Sequence, residues 1–370
     1  MANLEIESNL KKLLRGKKAC TPGTFLKVPF WPYGNMKPSK GKMLGQGQYG
    51  KVYRGSINDN GRRYVAYKEI DTSKNTLGSG AFEYKVAKQL KGYGVPDQYM
   101  YKKCEGMDIL YLELIKAKEF DIWWKTEPSM EEIKSVMVQI LYNLYRIKQK
   151  FPGFRHHDLH GGNILIRSVP TKNITIQVEG NKMYKIPNGG VEAVMIDFGL
   201  SAFPRISNPT ISSGAYEYVG ISKNSHPQYD LHTFLNTIWN KVTQPRNGDE
   251  RKIHEFIKSL IPKKYLGLDI KTKIVNGKRE KYAIIRRLGL DVDKVVIPNF
   301  KTVLNNTFFT GEKKESKLNK VLKNITSKTK PQKPMVIAVP NKKSPVDQKA
   351  ALTRAIAVLK AKPRLVIRRK

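Results

Sequence analysis

A mixed α+β fold is predicted, with a strand-rich part first and a mainly helical part after it. Three observations carry this expectation. From residue 38 to about 125 apolar residues alternate in short runs, the period of half-buried strands. From 129 to 150 they recur at three- and four-residue steps, the period of a helix with one buried face. The chain has 370 residues and 40% hydrophobic content, enough for one large domain or two ordinary ones around a sizeable core.

Taken in order, residues 1–37 form a basic leader containing KKLLRGKK. It ends in a Pro-rich stretch, VPFWPYGNMKP, where extended or irregular backbone is expected. KVYRGSI and RRYVAYKEI flank the turn signal NDNG and read as a hairpin. AFEYKVAKQL is a short helix and MDILYLELI a buried strand. Ser129 with Glu132 three residues on is a capping box. Ile133, Val136, Met137, Ile140, Leu141 and Leu144 follow as one apolar helix face. NILIRS and ITIQVEG are strand-like and precede VEAVMIDFGL, and residues 226–300 read as largely helical. From 311 to 344 a Lys-, Ser-, Thr- and Pro-rich composition predicts a flexible linker. Ser344-Pro345 starts a last helix, with Ala351, Leu352, Ala355, Ile356 and Leu359 on one face, ending before Pro363.

Charge is the outstanding feature of the composition. Sixty-eight Lys plus Arg face 31 acidic residues, a formal net charge of +37. The segment 311–370 alone holds 18 Lys plus Arg against 3 acidic residues. Such a chain is drawn to polyanions, so the basic termini are candidate contacts for nucleic acid or another polyanion. Only Cys20 and Cys104 are present, which excludes a thiolate zinc site and argues against a disulfide framework. A reducing interior is the simpler reading of that usage. No apolar run has membrane-spanning length and the N-terminus lacks an apolar signal core, so a soluble, intracellular protein is expected.

Four motifs carry chemistry. Gly45, Gly47 and Gly50 fit G-x-G-x-x-G, with Val52 two positions on. Glycines let backbone N–H groups approach phosphate oxygens, and strands on both sides favour a hairpin lid over a nucleotide rather than a dinucleotide fold. Lys68 lies in an alternating strand where it can reach those phosphates, and Glu83 in the next helix is the carboxylate to orient it. In HHDLHGGNILI, Asp158 can accept the proton of an attacking hydroxyl and Asn163 can hold a metal ion. In IDFGL, Asp197 follows a buried strand and precedes a glycine, where a carboxylate can bind a metal bridging phosphates.

In this order and with this spacing, the motifs resemble the protein kinase superfamily over roughly residues 38–300. The resemblance implies a two-lobed kinase-like fold: N-lobe 38–116, C-lobe 117–300, basic extensions at 1–37 and 301–370. It implies ATP with Mg²⁺, or Mn²⁺ in its place, as cofactors and proteins as substrates. Gly45, Gly47 and Gly50 then correspond to the phosphate-covering loop, with Leu44 and Val52 beside the nucleotide. Lys68 corresponds to the lysine on the α- and β-phosphates, with Glu83 as its helix partner. Glu113 to Ile115 correspond to the adenine-binding hinge. Asp158 resembles the catalytic base, Asn163 and Asp197 the metal ligands, and Asp230 the buried brace of the catalytic loop.

The departures are as informative. His157 stands where many such kinases have an Arg that pairs with a phosphorylated activation segment, so activity without such phosphorylation is expected. His160 stands where Ser/Thr kinases usually have Lys, and DLHGGN also resembles small-molecule phosphotransferases of the aminoglycoside and choline type. A contact to phosphate and a hydrogen bond to the loop backbone are both open for His160. Thirty-nine residues separate Asp158 from Asp197, and the extra chain at about 168–190 reads as an inserted hairpin. Only 33 separate Asp197 from Asp230, and no Ala-Pro-Glu occurs between them, so the peptide-docking platform is shortened. Such trimmed kinases are similar in style to those of large DNA viruses; if the chain is viral, the host cytoplasm, the virion or both are its expected location. Three readings follow: an ATP-dependent Ser/Thr protein kinase first, then a small-molecule phosphotransferase. The third is a basic nucleic-acid-binding or virion structural component with secondary kinase activity. Oligomeric state is not legible.

Overall fold

The computed structural model describes residues 2–26, 41–47, 50–57, 63–73, 80–178, 183–275, 278–288, 295–311, 336–338 and 366–368. The Pro-rich stretch after the leader, most of the 311–344 linker and the C-terminal helix from Ser344 lie outside these residues.

The leader is more than a basic run. It forms helices α1 (Ala2–Leu13) and α2 (Pro22–Phe25), joined by a short 3₁₀ turn. Leu10, Leu14, Ala19 and Leu26 are buried among Tyr53, Tyr67, Tyr99, Ile109 and Tyr111 of the sheet that follows. Each buried leucine stabilises this layer by roughly 2 kcal/mol before ordering costs are counted. Tyr111 Oη donates to the Ala19 carbonyl, and Arg63 pairs with Glu5. The two cysteines, which argued against a disulfide framework in the sequence, are joined here as a Cys20–Cys104 disulfide with Cα atoms 5.7 Å apart. What decided this was proximity in the fold across 84 residues, which composition does not reveal. Disulfides persist in oxidising surroundings, so the cysteines no longer argue for a reducing interior.

That sheet consists of β1 (Met43–Gln46), β2 (Gly50–Ser56), β3 (Tyr64–Asp71), β4 (Gln98–Cys104) and β5 (Met107–Glu113), with α3 (Gly80–Gln89) between β3 and β4. Its order is β1-β2-β3-β5-β4, with every pair antiparallel. Strand alternation sorts the two faces. Tyr67 stacks on Tyr53 beneath the leader, with centroids 5.3 Å apart, while neighbouring Lys68 faces the other way, toward α3.

After β6 (Lys118–Glu119) and α4 (Phe120–Trp124) comes the long helix α5 (Met130–Lys150). Both halves of the capping box form: Glu132 N–H donates to Ser129 Oγ and Ser129 N–H to Glu132 Oε2. The apolar face from Ile133 to Leu144 is buried. Beyond it come β7 (Ile164–Ser168), β8 (Asn173–Ile176), β9 (Tyr184–Pro187) and β10 (Val191–Met195); β9 and β10 contact α5, and β6, β7 and β10 form one small sheet. Strands β8 and β9 pair antiparallel and bury Ile176 and Ile186 in this core.

The short α6 (Pro209–Ser212) precedes α7 (Tyr229–Trp239) and α8 (Gly248–Leu260). Here the sequence reading is corrected. Residues 226–300 are not largely helical: β11 (Leu268–Val275) and β12 (Lys278–Ile285) form an antiparallel hairpin. The signal was present, because LDIKTKIV alternates β-branched residues and Asn276-Gly277 between the strands is a favoured hairpin dipeptide. Two short helices, α9 (Phe300–Leu304) and α10 (Thr307–Thr310), close this unit. A second unit, 312–370, shows a parallel pair, β13 (Val336–Ala338) with β14 (Val366–Arg368). Among the described residues no helix is long and apolar enough to cross a membrane.

The disulfide fastens the leader to β4 across a long loop, so reduction should lower stability by about 2–4 kcal/mol. Thermal unfolding with and without reductant checks this, with Cys104→Ser melting at the reduced value under both conditions. A reductant-insensitive melting temperature in the unaltered chain would contradict it.

Candidate active site

The site is assembled around a loop with unusual backbone. His157 has φ 66°, in the left-handed region that a β-carbon disfavours. What holds it there is Asp230 in the first turn of α7, fully buried, whose Oδ2 accepts from His156 N–H and Oδ1 from His157 N–H, each at 2.9 Å. His156 lies beneath, its ring 4.9 Å from that of Phe198, with Nε2–H donating to the Ile196 carbonyl at 3.0 Å. The Ile196 N–H in turn donates to the Asn163 carbonyl at 3.0 Å. The loop and the segment that leads from β10 to Asp197 are therefore one hydrogen-bonded body.

On that body Asp158 and Asn163 face each other. Asn163 Nδ2 donates to Asp158 Oδ2 at 3.1 Å and to its backbone carbonyl at 2.8 Å. Asp197, also at positive φ (63°), receives Lys68 Nζ at 3.2 Å and the Gly199 N–H at 3.3 Å. Lys68 Nζ lies 2.9 Å from both Glu83 oxygens. Lys68, Glu83 and Asp197 are thus brought together from β3, α3 and the segment after β10. Burial favours neutral Lys68, but Asp197 and Glu83 outweigh it and hold the ammonium firmly protonated. Burial pushes Asp197 up, and the Lys68 ammonium more than reverses this. Burial likewise opposes the charged form of Asp158, yet the His160 hydrogen bond and a guanidinium hold it well below the usual carboxylate range.

That guanidinium belongs to Arg287, a residue the sequence reading did not find. It lies just after β12, and its Nη2 donates to Asp158 Oδ1 at 2.8 Å. No local motif marks it, because it reaches the site only through the path of the β11–β12 hairpin.

The two odd histidines separate. His157 Nδ1–H donates to the Leu200 carbonyl at 2.9 Å, so Nε2 accepts from Ser225 Oγ–H at 2.6 Å. Burial pushes its pKa down to about 4, making it a neutral pin. Asn208, also missed, works alongside: its amide donates to the Gly199 and Ser201 carbonyls at 3.0 and 2.8 Å. His160 Nδ1 accepts from Gly162 N–H at 3.1 Å, the backbone alternative left open above, with Nε2 3.5 Å from Asp158 Oδ2. Burial lowers the His160 pKa, but its bond to Asp158 raises it overall.

The glycine lid divides by role. Gly45 pairs with Val52, and Gly47 N–H donates to the Gly50 carbonyl at 2.9 Å. A β-carbon at Gly45 or Gly47 meets open space, whereas at Gly50 it would lie 2.5 Å from the Glu69 carbonyl oxygen. Leu44 is exposed on β1, and Val52 sits opposite Lys68 in the ladder. At the end of β5, Glu113 N–H donates to the Asp97 carbonyl and its carboxylate pairs with Arg167, while Ile115, two residues on, is half-buried.

For a divalent ion, Asn163 and Asp197 offer oxygen donors of the hard type, and the amide nitrogen of Asn163 is turned to Asp158. Among the described residues no group of three or more His, Cys, Asp or Glu is gathered to hold a metal alone.

Residues 39–222 match the protein kinase domain family. The chain is 28% identical over 172 residues to "Putative serine/threonine-protein kinase R400" of Acanthamoeba polyphaga mimivirus, covering 44% of this chain and 35% of that protein. It is 25% identical over 159 residues to "Putative phosphotransferase 057R" of Frog virus 3 (isolate Goorha), covering 41% and 31%. The matched regions span about a third of the length of these curated relatives.

Two predictions follow from the buried groups. Gly50→Ala should lower the melting temperature, while Gly47→Ala should leave it within experimental error; equal melting of both contradicts the division of the lid. His157 and His232 are buried, and desolvation pushes both to about 4. The unfolded chain takes up these protons from about pH 6.5 downward, so their contribution is intact above that pH and is lost as pH falls toward 4. Urea unfolding at pH 7.5 and 5 should show a loss of about 2 kcal/mol per histidine, and His232→Gln a shallower fall.

Proposed function

The chain carries a protein kinase domain, and from that premise we propose that it transfers the γ-phosphoryl group of ATP to Ser or Thr hydroxyls of protein substrates. The observation that supports this best is the single network in which Lys68, bonded to Glu83 and Asp197, stands beside a braced Asp158–Asn163 pair. In this reading the lid and Lys68 hold the phosphates. Asp158 accepts a hydrogen bond from the acceptor hydroxyl and aims its oxygen at the γ-phosphorus. Its low proton affinity suits a loose transition state. The proton is taken only as the new O–P bond forms and the bond to the β–γ bridging oxygen breaks, leaving ADP. Mg²⁺ or Mn²⁺ held by Asn163 and Asp197 would supply charge neutralisation on the phosphates.

The neutral pins His157 and Asn208 support activity without phosphorylation of the segment after Asp197. A small-molecule acceptor is the second reading, kept by His160 and by a relative whose printed name is only a phosphotransferase. The +37 charge supports polyanion contact by phosphate neutralisation, with salt-sensitive binding. The viral relatives support a viral kinase acting in the host cytoplasm or packaged in the virion.

The deciding experiment offers γ-labelled ATP to casein, histone H1 and small alcohols. Label is expected on protein Ser and Thr, with Asp158→Asn and Lys68→Met at least 10³-fold slower and still folded. Transfer to small alcohols alone would establish the second reading instead. Replacing exposed Ser207, Ser212 and Ser213 together by Ala should leave the rate within about twofold; loss of activity contradicts the phosphate-independent segment.

A further inference from the structure

Arg287 comes to Asp158 from 129 residues away, and its approach is anchored. At the base of the β11–β12 hairpin, Asn236 of α7 accepts from Gly267 N–H at 2.9 Å and donates to the Arg286 carbonyl at 3.1 Å. The Arg286 guanidinium closes the same base, bonding Asp269 at 2.8 Å and the Leu266 carbonyl at 3.0 Å. The next residue therefore enters the site from a fixed stem. Arg287 Nη1 donates to the His157 carbonyl at 2.6 Å and lies 3.3 Å from Tyr229 Oη, while Nη2 takes Asp158 Oδ1. Helix α7 thus grips the loop through Asp230 and backs the guanidinium through Tyr229.

The charges explain why a cation belongs there. Three carboxylates, Glu83, Asp158 and Asp197, meet two permanent side-chain cations, Lys68 and Arg287. Lys68 is shared between Glu83 and Asp197, which leaves Arg287 to Asp158. An acceptor oxygen bonded to Asp158 must receive a phosphoryl group, so a second anion is brought beside this carboxylate. A planar guanidinium already fixed on the loop opposes that repulsion without reorganising during the reaction.

We propose that Arg287 is a positioning residue for phosphoryl transfer, clamping the Asp158 carboxylate against the His157 carbonyl and offsetting its charge where acceptor and phosphoryl group meet. This rests on the kinase reading. It makes the β11–β12 stem part of the catalytic apparatus, outside the segment that matches the kinase family.

The test uses the full chain, γ-labelled ATP, and casein or histone H1 as acceptor. Arg287→Ala and Arg287→Gln should lose on the order of 10²-fold in kcat, with the KM for ATP changed less than about threefold. Arg287→Lys, which keeps the charge, should recover at least about tenfold over Arg287→Gln. If Arg287→Ala fails to fold, the Lys and Gln variants decide, each checked by its melting temperature. Full activity in Arg287→Gln, equal loss in the Lys and Gln variants, or a loss confined to KM overturns the proposal. So does a rise in activity, which would make Arg287 a plug on the base. No transfer by the unaltered chain fells the kinase reading and this proposal together.

Discussion

Everything at the site depends on one buried carboxylate. Asp230 accepts two backbone N–H groups at 2.9 Å and holds His157 in a conformation its side chain disfavours. Without it those N–H groups would lie buried and unpaired, and the strained backbone would relax, carrying Asp158 with it. Two donors on one carboxylate, inside a helix packed on every face, fix the loop more stiffly than its own residues can.

The parts that surround this brace are tied to it by hydrogen bonds. His157 is neutral and joins the loop to Leu200 and Ser225, and Asn208 ties Gly199 to Ser201. Amide and imidazole hydrogen bonds thus hold the segment after Asp197 to the loop. The leader plays a similar part for the small lobe. It covers the tyrosine face of the sheet, so that β3 presents Lys68 from a strand packed on both sides.

Much of this was legible in the sequence, for physical reasons. The helix 130–150 announced itself through its capping box and its 3.6-residue period, both local properties. Gly45 to Gly50, Lys68, Asp158, Asn163 and Asp197 stand out in the sequence because each motif is short, and the structure brings Lys68 to Asp197 and Asn163 to Asp158. The missed features are those that only tertiary structure creates. Arg287 and Cys20–Cys104 act across 129 and 84 residues, and no local pattern encodes such a partner. The hairpin 268–285 was lost differently: neighbouring helices carried the expectation past an Asn-Gly signal that local turn chemistry should have decided. His160 was left between two roles because a ring with two nitrogens can serve both a backbone N–H and a carboxylate.

The central proposal is that this network is one nucleoside-triphosphate site, built on Lys68 and completed by a divalent ion. Titration calorimetry of ATP into the full chain, with Mg²⁺ and with EDTA, addresses it directly. Binding should need Mg²⁺ and weaken at least about tenfold in Lys68→Met, while His232→Gln, whose ring bonds the Tyr265 carbonyl, leaves it unchanged. ATP binding that is absent, or equally tight in Lys68→Met, would contradict the claim.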